Sequence, residues 1–313
     1  MRLLIPAFAQ GLEGKKDMPK TKTTTEASTG RKQYSQLGET WHRLRKNRAA
    51  VLGLIIIIAV LLIAAFANVL VDYHDVVTPN ILEKLQTPSA KHPLGTDELG
   101  RDILSRIIYG SRMSLLIGIM GVICSLGIGI VLGALAAFYG GILETIIMRI
   151  CDIFEGLPSF LMAIVITSVF GTSIFTLMMA ITLGAFSACV RIMRGAVLTV
   201  KEQEYIEAAR ALGANNWQII YYHIMPNCIA TIIVQATIRI GTGITTASAL
   251  SFLGLGVQPP EPEWGAMLSS GRAFVMEAPH LTLFPGLAIM ITILAFNMLG
   301  DGLRDALDPR LKQ

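Results

Sequence analysis

The feature that most constrains this chain is a series of long segments without a charged residue. The first runs from Ala49 to Val71 and directly follows the basic stretch "WHRLRKNR" at 41–48. Because the hydrocarbon core of a bilayer takes about 20 apolar residues to cross, this segment predicts a transmembrane helix. The composition agrees, since 15% of the residues are charged, whereas a soluble domain carries about 25%.

The same criterion predicts six membrane-spanning helices in an all-α polytopic protein that is surrounded by the lipid bilayer. They cover residues 49–71, 113–139, 147–170, 174–190, 228–250 and 281–300. The third carries Arg149, Asp152 and Glu155 near its beginning, and Pro158 predicts a kink there. The fifth contains a single charge, Arg239.

The basic residues predict the orientation of the spans, because Lys and Arg concentrate on the cytoplasmic side. Eleven of them precede residue 49, whereas the 72–112 segment has five. Both termini and the basic 191–210 segment are therefore predicted to be cytoplasmic, and the 251–280 loop external. Residues 1–37 include the low-complexity stretch "TKTTTEASTGRK" and are predicted to form a disordered basic leader.

A polar segment separates the fourth and fifth spans and reads "EYIEAARALGANNWQIIYYHIMPN" at 204–227. The spacing of Tyr205, Ala208, Ala209 and Leu212 at i, i+3, i+4 and i+7 predicts a helix over 202–212. Gly213 follows it, where the end of a helix favours a residue that tolerates positive φ.

A second short helix is predicted after this glycine. Asn215 or Asn216 would cap its beginning, and Pro226 would end it. On pattern alone, the pair of helices is either an amphipathic element lying on the membrane surface or a knob that docks into a groove of a soluble partner.

The motifs of the main catalytic and ligand-binding classes are missing. The only Gly-Lys pair, Gly14-Lys15, has Ala9 where a phosphate-binding loop needs its first glycine. None of the five histidines begins a H-E-x-x-H zinc motif, and neither G-x-G-D nor G-x-S-x-G occurs, which argues against an intramembrane enzyme. The sequence contains no basic patch interleaved with aromatic residues, so nucleic acid is not a predicted partner. The four cysteines are dispersed through apolar sequence, which is typical of buried side chains rather than of a metal site.

Glycine pairs within the predicted spans favour close helix packing over nucleotide binding. Gly129 and Gly133 are four residues apart, and Gly241 and Gly243 are two apart. Small residues of this kind let the backbones of membrane helices approach each other.

The polar segment resembles the EAA loop of ABC importer permeases. It has Glu207-Ala208-Ala209, then Gly213, and Pro226 thirteen residues later, with Met225 where the family usually has Leu. Three further stretches are similar to the C-type permease of dipeptide, oligopeptide and nickel importers: "HPLGTDELGRDILSRIIYGSRMSL" at 92–115, "LSFLGLGVQPPEPEWGAMLSSGR" at 250–272 and "PGLAIMITILAFNMLGDGLRDALDPR" at 285–310. The resemblance, which includes "WHRLRKNRAAVLGL" at 41–54, covers about residues 38–313.

This resemblance implies a type I ABC importer permease fold in the plasma or inner membrane. An N-terminal span and external segment would cover residues 38–95, and a core of five spans would cover residues 96–313 with its cytoplasmic loop at 200–227. The implied partners are a homologous B-type permease, two ABC ATPase subunits that use ATP and Mg²⁺, and an extracytoplasmic binding protein. This chain itself would bind no cofactor. The implied cargo is a di- or oligopeptide, with nickel or another small ligand as the alternative.

The resemblance also implies roles for individual residues. The ATPase-coupling residues would be Glu207, Ala208, Ala209, Arg210, Leu212, Gly213 and Pro226. The external 251–280 loop, which contains Trp264, would touch the binding protein.

Three charges within or beside the spans are candidates for the transport pathway. A charge at the centre of a span costs about 2.5–3.5 kcal/mol, so Arg239 should face protein or water. It would either line the pathway or pair with a carboxylate of the partner permease. Asp152 and Glu155 would either meet water at the pore exit or form ion pairs with Arg149 or Arg191.

Overall fold

The computed structural model describes residues 36–307, and this part of the chain is helical, with no β-strand. Its α-helices are α1 Gln36–Lys46, α2 Arg48–Ala65, α3 Ala67–Leu70, α4 Tyr73–Val77, α5 Ile103–Tyr139, α6 Gly141–Glu155, α7 Ser159–Phe170, α8 Ile174–Lys201, α9 Glu204–Ala211, α10 Asn216–Gln218, α11 Met225–Phe252, α12 Trp264–Gly271 and α13 His280–Leu307. A π-helical segment, Ile219–Ile224, joins α10 to α11. The leader predicted over 1–37 lies outside the described residues, except that Gln36 and Leu37 belong to α1.

Five continuous helical segments are long and apolar enough to cross a membrane: Arg48–Ala65, Ile103–Tyr139, Ile174–Lys201, Asn216–Phe252 and His280–Leu307. The third predicted span corresponds to α6 and α7, which meet at an angle of 85°. Pro158 precedes α7 with an extended backbone at ψ 130°, so this proline breaks the helix instead of kinking it. The six predicted spans are therefore confirmed as five continuous segments and one bent pair.

Several helices extend beyond the charge-free segments that predicted them. Helix α5 begins ten residues before the predicted span at 113, because Asp102 caps it by accepting a hydrogen bond from Ser105 N at 2.8 Å. The additional turns contain Arg106, which is buried and donates to the carbonyl oxygen of Val76 at 3.0 Å. A charge-free segment therefore marks the apolar centre of a helix and not its ends.

Glycines bring the central helices into close contact. A Cβ atom on Gly133 of α5 would lie 2.6 Å from the carbonyl oxygen of Val190 on α8. A Cβ atom on Gly243 of α11 would lie 3.0 Å from the carbonyl oxygen of Gly118 on α5. These contacts confirm that the glycine pairs serve helix packing.

The segments on the predicted external side are tied together by buried polar groups. The carboxylate of Asp97 accepts hydrogen bonds from Arg101 Nε at 2.7 Å and from two backbone N–H groups at 2.9 Å. Both nitrogens of His92 lie beside carboxylates, with Nδ1 3.0 Å from Asp102 Oδ1 and Nε2 3.2 Å from Glu83 Oε2. This network fixes the loop before α5 onto the beginning of that helix.

Trp264 is part of the interior. Its side chain is 2% exposed, and its indole Nε1 donates to the carbonyl oxygen of Ile107 at 3.0 Å. The prediction that the loop containing Trp264 touches a binding protein therefore cannot involve this side chain. Met276, which is 92% exposed, is available on the same loop.

Candidate functional site

The polar segment between α8 and α11 forms the first candidate site, and the helix predicted over 202–212 is present as Glu204–Ala211. Helix α9 begins at Glu204, because Glu202 is the C-cap of α8 and Gln203 takes the extended N-cap position. Gly213 follows with φ +88° and donates its N–H to the carbonyl oxygen of Arg210 at 3.0 Å. A positive φ at this position confirms the predicted glycine corner.

Helix α9 has one fully buried side chain. Ile206 is 1% exposed and packs in a cluster with Val197 of α8, Ile219 and Ile224. The predicted face of Tyr205, Ala208, Ala209 and Leu212 is largely left open, with Leu212 90% exposed and Ala209 half-buried. Most of this face is therefore accessible.

The second helix is not short, and Pro226 does not end it. Asn215 caps α10 in a reciprocal pair with Gln218, and the helix then continues through Ile219–Ile224 into α11. Met225 N donates to the carbonyl of Ile220, five residues back, which is the π-helical pattern. Pro226 is accommodated in the next turn, where Asn227 Nδ2 donates to the carbonyl oxygen of His223 at 2.6 Å.

The segment presents large apolar and aromatic side chains to its surroundings. They are Tyr205, Leu212, Trp217, Tyr221 and Tyr222, which are between 43% and 90% exposed. Glu207 and Arg210 are exposed among them, and neither has a side-chain partner within residues 36–307. We call this the cytoplasmic-loop surface, after its predicted location.

The connection from this surface to the spans is fixed at both ends. Lys201, at the end of α8, donates from Nζ to the carbonyl oxygens of Ala137 and Phe138 at 3.1 and 2.7 Å, which satisfies the C-terminal end of α5. On the other side, α10 is continuous with α11. The surface is therefore connected to α5, α8 and α11.

Asp152 and Glu155 form the second candidate site and are paired with Arg191. The Arg191 guanidinium lies 2.8 Å from Asp152 Oδ1 and 2.7 Å from Glu155 Oε2. Arg149 is 3.5 Å from the other oxygen of Asp152. The predicted ion pairs are therefore present, and all four side chains remain at least 44% exposed, which leaves open the predicted contact with water.

Arg239 forms the third candidate site, halfway along α11. It lines a narrow cleft with residues of α5 and α8, namely Leu126, Ile130, Cys189, Ile192 and Met193, together with Thr231, Ile232 and Gln235 of α11. None of these carries a charge. Arg239 Nε is buried and has no hydrogen-bond partner among residues 36–307.

Two groups of functional interest were missed by the sequence analysis. Glu263 is completely buried and is the centre of a hydrogen-bond network. In the sequence it is one acidic residue in a Gly- and Pro-rich loop, and this pattern does not predict burial. Thr231 and Gln235 precede Arg239 by eight and four residues on the same helix. Their spacing of four residues places them on the same side of a helix as Arg239, so the sequence could have predicted this group.

Two family models match the chain. One is described as "Binding-protein-dependent transport system inner membrane component" and matches residues 129–313. The other is described as "N-terminal TM domain of oligopeptide transport permease C" and matches residues 35–88.

Curated relatives align with most of the chain. The dipeptide transport system permease protein DppC of Alkalihalophilus pseudofirmus is 48% identical over 274 residues, which cover 88% of this chain and 90% of that protein. The glutathione transport system permease protein GsiD of Pectobacterium atrosepticum is 46% identical over 275 residues, which cover 88% of this chain and 91% of that protein.

Solved structures show the same fold at lower identity. A chain of the MetNI methionine ABC transporter in an inward-facing conformation aligns with a TM-score of 0.55 and 18% identity, covering 66% of this chain and 98% of that one. An amino acid ABC transporter crystallised with histidines aligns with a TM-score of 0.51 and 16% identity, covering 63% of this chain and 92% of that one.

Proposed function

Because this chain belongs to the family of binding-protein-dependent transport system inner membrane components and is a permease subunit of an ABC importer, we propose that it imports di- or oligopeptides and is driven through its cytoplasmic-loop surface. The subunit is non-catalytic, and ATP is hydrolysed in separate subunits. In the proposed complex it pairs with a homologous B-type permease and two ATPase subunits that bind ATP and Mg²⁺. An extracytoplasmic binding protein delivers the cargo, and both termini of this chain are cytoplasmic.

The observation that carries the coupling proposal is the open face of α9. Ile206 is the fully buried side chain of this helix, while Tyr205 and Leu212 remain exposed at 43% and 90%. An apolar face of this kind is suited to helix-in-groove docking on a soluble partner. A helix lying on the membrane surface would instead combine an apolar face with a Lys- and Arg-rich polar face. Acidic Glu204 and Glu207 occupy the first turn here, and anionic headgroups would repel them.

Each residue of the loop motif has a physical role in this proposal. Glu207 and Arg210 form polar contacts with the ATPase subunit, while Ala208 and Ala209 allow close approach and Leu212 fills an apolar pocket there. Gly213 sets the angle between α9 and α10. Pro226 lies in the turn where the π-helical segment passes into α11.

The continuous helix through Pro226 suggests how movement reaches the pathway. Closure of the ATPase subunits on ATP would displace α9. The displacement passes into α8 and, through Lys201, into α5, while α10 carries it into α11, and the permease then switches between outward and inward access. Asp152, Glu155 and Arg239 are proposed to lie along or beside this pathway.

Purification of the tagged chain from its native membrane in mild detergent tests the proposal. We expect an ATPase and a second permease to co-purify, and a Leu212→Asp variant to lose the ATPase while it keeps the permease. Leu82→Asp is the matched control, because Leu82 is 95% exposed outside the loop. A chain that purifies alone, or an L212D variant that keeps its ATPase, would contradict the coupling role. Reconstituted uptake of labelled dipeptide against labelled nickel then tests the cargo.

A further inference from the structure

A stripe of polar side chains follows one side of α11. It consists of Thr231, Gln235, Arg239, Thr242 and Thr246, each three or four residues after the one before. At 100° per residue these positions fall within an arc of about 80°, and the stripe extends along about 22 Å of the helix. We call it the α11 polar stripe.

The α11 polar stripe is not buried by the rest of the chain. Thr231 and Thr242 are exposed, and Gln235, Arg239 and Thr246 are half-buried. The exposed apolar residues Ile229 and Ile233 lie on the opposite side of the helix, where they suit a lipid or apolar neighbour. The helix therefore has separate apolar and polar exposed sides, which is the pattern of a helix beside an aqueous path.

Arg239 differs from three other arginines of the helical core, each of which lies beside a carboxylate. Arg106 lies 3.5 Å from Asp97, Arg191 lies 2.8 Å from Asp152, and Arg194 Nε donates to Glu144 at 2.6 Å. Arg239 has no carboxylate beside it, since the residues that line its cleft are all uncharged. A charge at this depth is retained where it meets a partner or water in function.

We infer that the α11 polar stripe lines the translocation path and that Arg239 binds a carboxylate of the peptide cargo in transit. This inference rests on the proposed function, because a peptide supplies the carboxylate. The planar guanidinium matches a carboxylate with two parallel hydrogen bonds. Gln235, one turn away, offers both a donor and an acceptor to a peptide group. Thr242 and Thr246 donate their hydroxyl hydrogens to carbonyl oxygens of α11, at 2.8 and 3.0 Å, and keep acceptor lone pairs that continue the polar surface.

A permanent ion pair with the partner permease would explain Arg239 but not the rest of the stripe. Such a pair needs one carboxylate and makes no use of neighbouring polar groups. The stripe provides neutral hydrogen-bonding groups on both sides of the charge, from Thr231 to Thr246. A polar solute that moves along the helix requires this arrangement, because it exchanges partners at each turn.

Transport by the full complex in proteoliposomes tests the role of the charge. Arg239→Gln should reduce uptake of a dipeptide with a free C-terminal carboxylate by about tenfold or more, because a charge-assisted contact is lost. Arg239→Lys should restore part of the uptake. The same binding protein is used with every variant, so differences in uptake come from the permease. Arg304→Gln, an exposed arginine near the end of α13, serves as the matched control and should transport normally.

Cysteine labelling separates the pathway from an intersubunit ion pair. In the intact complex, Arg239→Cys should react with a water-soluble sulfonate methanethiosulfonate reagent, and transported dipeptide should slow the reaction. Thr231→Cys should behave in the same way. The inference is overturned if Arg239→Cys stays unreactive in an intact complex, or if Arg239→Gln loses the second permease on purification, which would indicate an interface ion pair.

The same assay distinguishes failure of this inference from failure of the proposed function. If the wild-type complex does not import peptides, the peptide cargo is wrong, and so is the carboxylate assignment. If the wild type imports peptides and Arg239→Gln does so equally well, only the role of Arg239 is wrong.

Discussion

Ser114 and Glu263, which are 149 residues apart in the chain, are joined by a buried hydrogen bond of 3.1 Å between Ser114 Oγ and Glu263 Oε1. The Ser114 hydroxyl also accepts from Trp264 N at 3.1 Å, so it bridges the carboxylate and the following backbone N–H. Glu263 caps α12 as well, accepting from Gly265 N at 2.9 Å and Ala266 N at 2.8 Å. The contact fixes the beginning of α12 against α5.

Glu263→Ala should destabilise the purified complex by about 1–3 kcal/mol, because it leaves two buried backbone donors and the Ser114 hydroxyl without their acceptor. Thermal unfolding in detergent measures the loss. Glu277→Ala, an exposed carboxylate on the same loop, is the control and should change the stability by less than about 0.5 kcal/mol. Equal effects of the two variants would show that the buried network contributes little.

Gly133→Ala should destabilise the packing of α5 on α8. The added Cβ would lie 2.6 Å from the carbonyl oxygen of Val190 and 2.7 Å from Met193 Cβ, so the helices must separate, at a cost of about 1–3 kcal/mol. Gly127→Ala on the same helix meets nothing within 4 Å. It should be neutral or stabilise by up to about 1 kcal/mol, because alanine favours a helix. Unfolding midpoints of the two variants check this difference, and it is refuted if both change alike.

Gly213→Val should abolish uptake without preventing membrane insertion. The residue holds φ +88°, where no atom would contact a Cβ, so the strain comes from the backbone alone and is about 1–2 kcal/mol. Relief of this strain would turn α9 relative to α10. Gly195→Ala in α8, where a Cβ also meets nothing within 4 Å, is the control. Normal ATP-driven uptake by the Gly213→Val complex would refute the role of the corner.

Tyr73→Phe should slightly destabilise the segments on the predicted external side. The size of this loss should not depend on pH below about pH 10. Tyr73 donates its hydroxyl to Glu261 Oε1 at 2.8 Å, and this bond, together with burial, raises the pKa of Tyr73 from 10.0 to about 12. Because the folded pKa is raised, the bond is complete below pH 10 and is lost as the pH rises through about 12.

The expected loss in Tyr73→Phe is about 1 kcal/mol, because the hydroxyl donates to a carboxylate but the bond is exposed to solvent, which weakens it. Unfolding of wild type and variant, compared between about pH 6 and 9, measures it. A difference that changes within this window would contradict the assignment. Glu261→Ala should bring the tyrosinate titration of Tyr73 back towards pH 10.

Local patterns in the sequence were sufficient for the spans and for the loop motif. A charge in hydrocarbon is costly wherever it occurs, so the absence of charges from Ala49 to Val71 could be interpreted without knowledge of the neighbouring helices. Gly213 could be assigned because positive φ is a property of a single residue. The pairing of Asp152 with Arg191 was one of two alternatives, and the structure favours it.

The wrong predictions concern two prolines, where the effect on the helix depends on the conformation of neighbouring residues that the local pattern does not show. Pro226 removes one helical N–H, which normally ends a helix, but here a π-helical turn precedes it and the helix continues through α11. At Pro158 the opposite occurred, and a predicted kink became a break of 85°.

The sequence by itself determined that this chain crosses the membrane, where its apolar helices lie and which loop carries the importer motif, because lipid solvation and backbone conformation act on short segments. Only the tertiary structure decided which polar groups are buried with partners and which remain open. Glu263 is satisfied by Ser114 from another helix, whereas Arg239 is left without a carboxylate within residues 36–307. The physical reason is that desolvation of a polar group depends on atoms that are distant in sequence and meet only when the helices pack.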